Sequence, residues 1–152
     1  MSKSVGNVLL AKDFSQKYGS EVFRYLVLNS HYNQVINLSE ELIQQAVQQV
    51  QKVKNLLKKL KFYCYTEKIK VQPEETERKQ TIINSLLNNL NTTRVLFFLE
   101  EMVVLLNKSI DKGEKDENFL SMISDFYFLG EVLGCKLDLP VYSTEIELLI
   151  EK

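Results

Sequence analysis

The first residues of the chain are of types that can bind a polyphosphate. Ser2 and Ser4 flank Lys3, and Gly6 and Asn7 come shortly after. A lysine supplies positive charge on a mobile stem, hydroxyl groups donate hydrogen bonds, and a glycine lets the backbone bend around an anion. A Ser-Lys-Ser sequence is equally typical of a flexible tail, so its interpretation depends on the residues C-terminal to it.

The remaining residues suited to catalysis or metal binding are few. His31 is the only histidine, and Cys64 and Cys135 are the only cysteines. Because neither cysteine belongs to a Cys-x-x-Cys pair, we predict no metal site. The two thiols are predicted to be buried or half-buried in a cytosolic protein. His31 has no partner nucleophile nearby in sequence, so we predict a hydrogen-bonded packing residue rather than a catalytic base.

The charge of the chain is unevenly distributed, although the net charge is only −1. Residues 1–61 contain nine lysines or arginines against four acidic residues, whereas residues 62–152 contain ten against sixteen. A basic first half could face a polyanion, and the acidic second half is not expected to do so. The alternative is a solvated surface with uneven charge.

The composition indicates a helical domain. The chain has 152 residues, of which 45% are hydrophobic, and only 5 glycines and 2 prolines, too few to punctuate an all-β fold. No apolar run approaches the roughly 20 residues needed to cross a bilayer, and no signal peptide opens the chain, so we expect no membrane association.

Hydrophobic spacing predicts where the helices lie. The clearest helix is predicted over residues 40–61, with Ser39 as its N-cap. Its core-facing residues recur at steps of three and four: Ile43, Ala46, Val50, Val53, Leu57 and Leu60. Glutamines and lysines occupy its outer faces.

Further helices are predicted along the rest of the chain. They cover residues 13–18 with Asp13 as a cap, 21–29, 75–87, 93–109 and 117–133, and a last one starts at Ser143 or Thr144. The helix over 93–109 is apolar around most of its circumference and should be central. Residues 66–77, which include Pro73, form the best internal linker. The sequence therefore predicts an all-α bundle of five or six helices with no convincing sheet.

Several segments together resemble a known enzyme family. Residues 1–7 resemble the KMSKS loop of class I aminoacyl-tRNA synthetases, without its first lysine. Glu-Val-Phe-Arg-Tyr-Leu at 21–26, Ser-His-Tyr at 30–32 and Asn-Leu-Ser-Glu at 37–40 occur in the order and spacing of cysteinyl-tRNA synthetase. Asn-Asn-Leu-Asn-Thr at 88–92 is similar to a segment of that family usually written with two acidic residues. The resemblance covers nearly the whole chain, with Asn33, Asn88 and Asn89 as departures.

The resemblance implies a division of labour between this chain and a preceding domain. Residues 1–19 would be the remnant of the loop and its connection, and residues 20–152 a helical tRNA-binding bundle of the anticodon-binding (DALR) type. A preceding Rossmann domain would bind ATP with magnesium and hold the zinc of the family. The last predicted helix runs to the end of the chain, so a further segment is expected to follow. The fragment alone is expected to be inactive and to bind no cofactor of its own.

The resemblance also assigns roles to individual residues. Lys3 would be the catalytic loop lysine that neutralises the phosphates of ATP in the transition state, and Ser2 and Ser4 would contact ATP and hold the loop closed. Arg24 and Tyr32 would hold the junction between loop and bundle. The expected partner is tRNA(Cys) in the cytoplasm, with no DNA, and the basic first half supplies candidate backbone contacts. These candidates are Lys52, Lys54, Lys58, Lys59 and Lys61.

Two other functions remain open at this point. The nearest enzyme alternative is a different class I synthetase or a synthetase-derived cysteine ligase that uses no tRNA. Such a ligase shares the loop and a similar bundle, and it would present a neutral surface in place of a basic one. A helical protein-interaction module would instead expose an apolar groove.

Overall fold

The described part of the chain is entirely helical. A computed structural model describes residues 11–36, 38–72 and 74–135. They form six α-helices and no strand, which confirms the predicted all-α bundle. The helices are α1 (Ala11–Tyr18), α2 (Ser20–Leu28), α3 (Glu40–Thr66), α4 (Glu77–Leu87), α5 (Thr92–Lys112) and α6 (Glu117–Val132). None of these six is long and apolar enough to cross a membrane.

Two predicted features fall elsewhere in the chain. The loop residues lie outside the described part of the chain; they are Ser2, Lys3 and Ser4. The last helix, predicted from Ser143 or Thr144, also lies outside it.

Side-chain caps fix where the long helices begin. Ser39 Oγ accepts a hydrogen bond from the Leu42 N–H at 3.3 Å, and Asn91 Oδ1 accepts one from the Arg94 N–H at 3.0 Å. Both caps satisfy N–H groups that have no partner inside a helix. The predicted cap at Asp13 is wrong, because α1 begins two residues earlier and Asp13 lies inside its first turn.

Helix α3 is five residues longer than predicted. The sequence interpretation ended it at Lys61, but it continues to Thr66 because Leu60 and Cys64, four residues apart, both bury their side chains completely. Leu56, which the predicted seam omitted, is also buried. Ile43, Ala46 and Leu60 of the predicted seam are buried, and its other members are partly buried. The extension adds more than a turn to the outer face of α3.

The helices enclose two hydrophobic cores. The smaller core holds five buried residues from α1, α2 and the first part of α3, namely Phe14, Val22, Leu26, Ile43 and Ala46. The larger core holds nineteen buried residues from the second part of α3 and from the chain beyond it, among them Leu60, Phe119 and Phe126. Helix α3 therefore contributes to both, and Tyr25 of α2 packs against both.

Helix α5 is central, as predicted, because it packs against α2, α3, α4 and α6. It is not buried all round, however. Phe97 is 61% exposed and Val104 is 53% exposed, so one stripe of the helix faces outward.

Buried polar groups attach the linker and α4 to α6. Asp125 is fully buried and accepts hydrogen bonds from Thr76 Oγ1 at 2.5 Å and Arg78 Nη1 at 3.3 Å. Lys79 is 5% exposed; its Nζ donates to Glu74 O and, at 3.1 Å, to Ser124 Oγ. These partners compensate the desolvation of the two charges.

The cysteines are packing residues. Cys64 is buried and Cys135 is partly buried, and both are free thiols, as predicted. Burial raises the pKa of Cys64 to about 11, so its thiol is protonated at neutral pH.

Candidate nucleic-acid interface

The five candidate lysines do not share one face of α3. At about 100° per residue, Lys54, Lys58 and Lys61 project within about 60° of one another, whereas Lys52 and Lys59 lie roughly 140° away. The buried residues Leu56, Leu60 and Cys64 lie between the two groups. The candidates therefore form two flanks of the helix, one on each side of its buried seam.

The flank with Lys52 and Lys59 faces α5. Lys59 Nζ donates to Asp111 Oδ1 at 2.6 Å and to Asn107 Oδ1 at 3.3 Å. Lys52 lines a cleft together with Glu100. Since Lys59 already has a carboxylate partner, an RNA phosphate would have to compete with it.

The other flank carries three exposed lysines. Lys54 forms a 3.7 Å ion pair with Glu21 of α2. Lys58 and Lys61 are exposed and have no ion pair within residues 11–36, 38–72 and 74–135. On this flank, Lys58 and Lys61 therefore lie where a phosphate could approach without displacing a carboxylate. Lys52 on the other flank is also exposed and has no ion pair among the described residues, but it lines the same cleft as Glu100.

Two aromatic residues that the sequence interpretation did not include extend this flank. Phe62 is 70% exposed and Tyr65 is 47% exposed. Both lie in the part of α3 beyond its predicted end, so the sequence prediction did not place them on a helix face. The continued spacing of Leu60 and Cys64 was the signal that could have placed them on the outer face.

Two segments that carried the family resemblance meet where the residues after α2 contact the turn between α4 and α5. Tyr32 Oη donates to Asn89 Oδ1 at 2.7 Å, and Asn89 Nδ2 lies 3.4 Å from His31 Nε2. His31 Nδ1 lies 2.6 Å from Asn33 Oδ1. A single tautomer satisfies the whole set, with Nδ1–H donating to Asn33 and Nε2 accepting from Asn89. His31 is therefore a hydrogen-bonded packing residue, as predicted.

The first residues of α5 form hydrogen bonds to the C-terminal end of α2. Thr92 Oγ1 donates to Leu28 O at 2.7 Å, and Thr93 Oγ1 donates to Asn29 O at 3.3 Å. These bonds satisfy carbonyl groups at the C-terminus of α2. The Asn-Asn-Leu-Asn-Thr segment thus contributes hydrogen bonds through Asn89, Asn91 and Thr92.

Arg24 also contributes to the junction, by contact with the end of α6. A Cβ placed on Gly134 would lie 2.5 Å from Arg24 Nη1, and Gly134 has a φ of +65°. The positive φ favours glycine at this position, whereas the Arg24 side chain could move away from a larger residue. Arg24 thus lies beside the residues that follow α6, and Tyr32 bonds the α4–α5 turn. Their predicted role between loop and bundle stays a prediction, because residues 1–10 lie outside the described part of the chain.

The described residues contain no group of three or more histidine, cysteine, aspartate or glutamate side chains that could hold a metal ion.

Known proteins are similar to this chain in its first 48 residues and along nearly its whole length. The family model described as the catalytic domain of class I (C) tRNA synthetases matches residues 1–48. A cysteine–tRNA ligase of Mesoplasma florum is 33% identical over 148 residues, which cover 97% of this chain and 33% of that protein. The cysteine–tRNA ligases of Sulfurimonas denitrificans and Clostridioides difficile are 31% and 29% identical and are matched by the whole of this chain.

The matches include only part of each relative. The chain spans about a third of the length of these relatives. Along its own length, however, the similarity runs from the first helices through the bundle, and it includes the segments that meet at the α4–α5 turn. On this similarity, the chain belongs to the cysteine–tRNA ligase family.

Proposed function

We propose that this chain is the C-terminal helical tRNA-binding part of a cysteine–tRNA ligase. The parent enzyme would activate cysteine with ATP and transfer it to tRNA(Cys) in the cytoplasm. The observation that carries the proposal is the match to cysteine–tRNA ligases over nearly the whole chain, at about a third of their length. The rest of the enzyme, with a Rossmann domain that binds ATP and magnesium and holds zinc, would perform the chemistry, so the chain alone would not activate cysteine.

The loop at the start of the chain would assist that catalytic domain. Lys3 would neutralise the phosphates of ATP as charge develops in the transition state, and Ser2 and Ser4 would hold the closed loop. The match of residues 1–48 to the catalytic-domain model supports this assignment, since it includes these three residues.

The exposed basic flank of α3 would contact the tRNA backbone. Lys58 and Lys61 are supported by their exposure and by their lack of ion pairs in the described part of the chain. Lysine contacts to phosphates orient an RNA without reading its sequence. The chain should therefore bind tRNA as a class and leave recognition of the cysteine anticodon to other parts of the enzyme.

Binding of a tRNA(Cys) transcript to the 152-residue chain tests the proposal. We expect fluorescence anisotropy at low salt to show saturable binding, similar binding of a second tRNA and weaker binding of duplex DNA of equal length. Binding should weaken as salt is raised, because phosphate contacts release counterions. No binding of either tRNA would contradict the proposal and favour a synthetase-derived ligase that uses no tRNA. Equal binding of DNA would contradict it as well.

A further inference from the structure

The distal end of α3 presents a large aromatic side chain to solvent. Phe62 is 70% exposed on the last turns of the helix. Lys58 lies four residues before it and Tyr65 three residues after it, so both are its neighbours on the helix surface. Lys61 stands four residues before Tyr65 on the same flank. Exposure of a phenylalanine ring to water is unfavourable, and covering the ring recovers that free energy.

The carboxylates at the distal end of α3 and in the segment of the chain that faces it already have partners. Glu67 is paired with Lys115, Asp111 with Lys59, and Glu114 with Lys112. Lys58 and Lys61 remain exposed and have no ion pair among the described residues. The uncompensated charge of this surface thus comes from lysines, which favours an anionic occupant.

The other highly exposed phenylalanine of the bundle has a different setting. Phe97 of α5 is 61% exposed, with Glu100 and Glu101 three and four residues further along the same helix. Carboxylates at this spacing border the ring and repel phosphate groups. The two phenylalanines therefore match in exposure and differ in charge environment.

We propose that Phe62 stacks on an unpaired base of the bound tRNA, with Lys58 and Lys61 contacting the adjacent phosphates. This inference rests on the proposed function and adds a contact to single-stranded nucleotides. An aromatic ring beside lysines is the arrangement that binds single-stranded nucleic acid, because every base has a face that stacks and every nucleotide carries a phosphate. A base-paired stem cannot supply the partner, since its bases are stacked on one another.

The affinity of Phe62 variants for a tRNA(Cys) transcript tests the stacking contact. Loss of one base–aromatic stack weakens binding by about 5- to 150-fold, and at this exposed site we expect about 10-fold for Phe62→Ala. Phe62→Leu should lose as much, because leucine is apolar but has no ring. Phe97→Ala is the matched control and should leave affinity within about 2-fold. The melting temperature of the free chain should be unchanged in all three variants, because both rings are largely exposed.

Tryptophan fluorescence gives a second readout that does not depend on affinity. The chain contains no tryptophan, so Phe62→Trp introduces a single indole at the proposed contact. Its fluorescence should be quenched by the tRNA(Cys) transcript and not by an RNA duplex without loops, and Phe97→Trp should respond to neither.

The outcomes separate this inference from the proposed function. If the wild-type chain fails to bind tRNA, both are overturned. If tRNA binds but Phe62→Ala retains full affinity and Phe62→Trp is not quenched, only the stacking contact is overturned. A blue-shifted indole in free Phe62→Trp, with no change on adding tRNA, would show that protein already covers the ring and would equally overturn it.

Discussion

The two cores of this chain differ in size and in what they hold together. The smaller one joins α1 and α2 to the first part of α3 through five buried residues, and it lies within the residues matched by the catalytic-domain model. The larger one joins the rest of α3 to α4, α5 and α6 through nineteen buried residues. Because buried apolar area supplies most of the stability of a fold, the larger core should determine whether the bundle folds.

The smaller core has a different consequence. It sets the direction in which α3 leaves the α1–α2 pair, and α3 is one 27-residue helix that carries the basic flank. A helix of this length spans about 40 Å. A small change at its first turns would therefore displace Lys58, Lys61 and Phe62 by a much larger distance.

Removing a ring from each core should produce the largest and most distinct effects. Phe126→Ala in the larger core should lower the free energy of unfolding by about 3–5 kcal/mol, because it leaves a cavity among fully buried neighbours. Phe14→Ala should instead release α1 and α2 locally, with the larger core intact. Urea denaturation followed by circular dichroism measures the first effect, and amide hydrogen exchange measures the second. Equal loss of protection in α2 and α6 of the Phe14→Ala variant would show that the two cores unfold as one.

The hydrogen bond of Tyr25 should have the next largest effect, because it joins the two cores. Tyr25 Oη donates to Glu100 Oε1 of α5, and the ring packs against both cores. Tyr25→Phe should cost about 1.5 kcal/mol, the lower range for a hydrogen bond to a charged group. Tyr32→Phe, whose hydroxyl bonds the exposed Asn89, is the matched control and should cost less than about 0.5 kcal/mol. Similar costs for the two variants would contradict a special role for Tyr25.

The Tyr25 contribution should also depend on pH in a defined direction. Burial first, and then the Glu100 carboxylate, raise the pKa of Tyr25 above its usual value of 10.0. A group whose pKa is raised in the folded state contributes its full stability below the unfolded pKa and loses it as the pH rises through the folded pKa. The stability difference between wild type and Tyr25→Phe should therefore be constant from neutral pH to about pH 10 and shrink above it. A difference that grows above pH 10 would contradict this assignment.

The caps of the two long helices should give the smallest differences. Ser39→Ala should cost about 1 kcal/mol, because it leaves the Leu42 N–H without its side-chain partner. Asn91→Ala should cost a similar amount at the start of α5. Thermal unfolding monitored by circular dichroism compares them. Ser39 caps the end of α3 that packs in the smaller core. If that core sets the direction of α3, Ser39→Ala should also weaken tRNA binding, whereas Asn91→Ala should leave it unchanged.

Local pattern predicted the elements of both regions well, and it failed where distant parts of the chain meet. The Ser39 cap and the central position of α5 followed from residue type and spacing. The end of α3 was predicted too early because the lysines up to Lys61 resemble the last turn of a helix, whereas Cys64 packs against other helices and extends it.

The buried polar contacts could not be predicted in the same way. Asp125 meets Thr76 and Arg78 across 47 to 49 residues, and Tyr32 meets Asn89 across 57. No local period links such pairs, because the fold alone brings them together. For the interface, the sequence located the basic helix, and only the three-dimensional partners of each lysine separated Lys58 and Lys61 from Lys59.

The salt dependence of tRNA affinity tests the account most directly. Lys58→Glu with Lys61→Glu should weaken binding of the tRNA(Cys) transcript and reduce the slope of log affinity against log salt by about two, roughly one for each phosphate that is no longer neutralised. Lys108→Glu makes the same kind of charge change at an exposed position on α5 and should leave the slope unchanged. Unchanged affinity of the double variant at every salt concentration, or an equal effect of Lys108→Glu, would contradict the assignment of the α3 flank as the surface that faces tRNA.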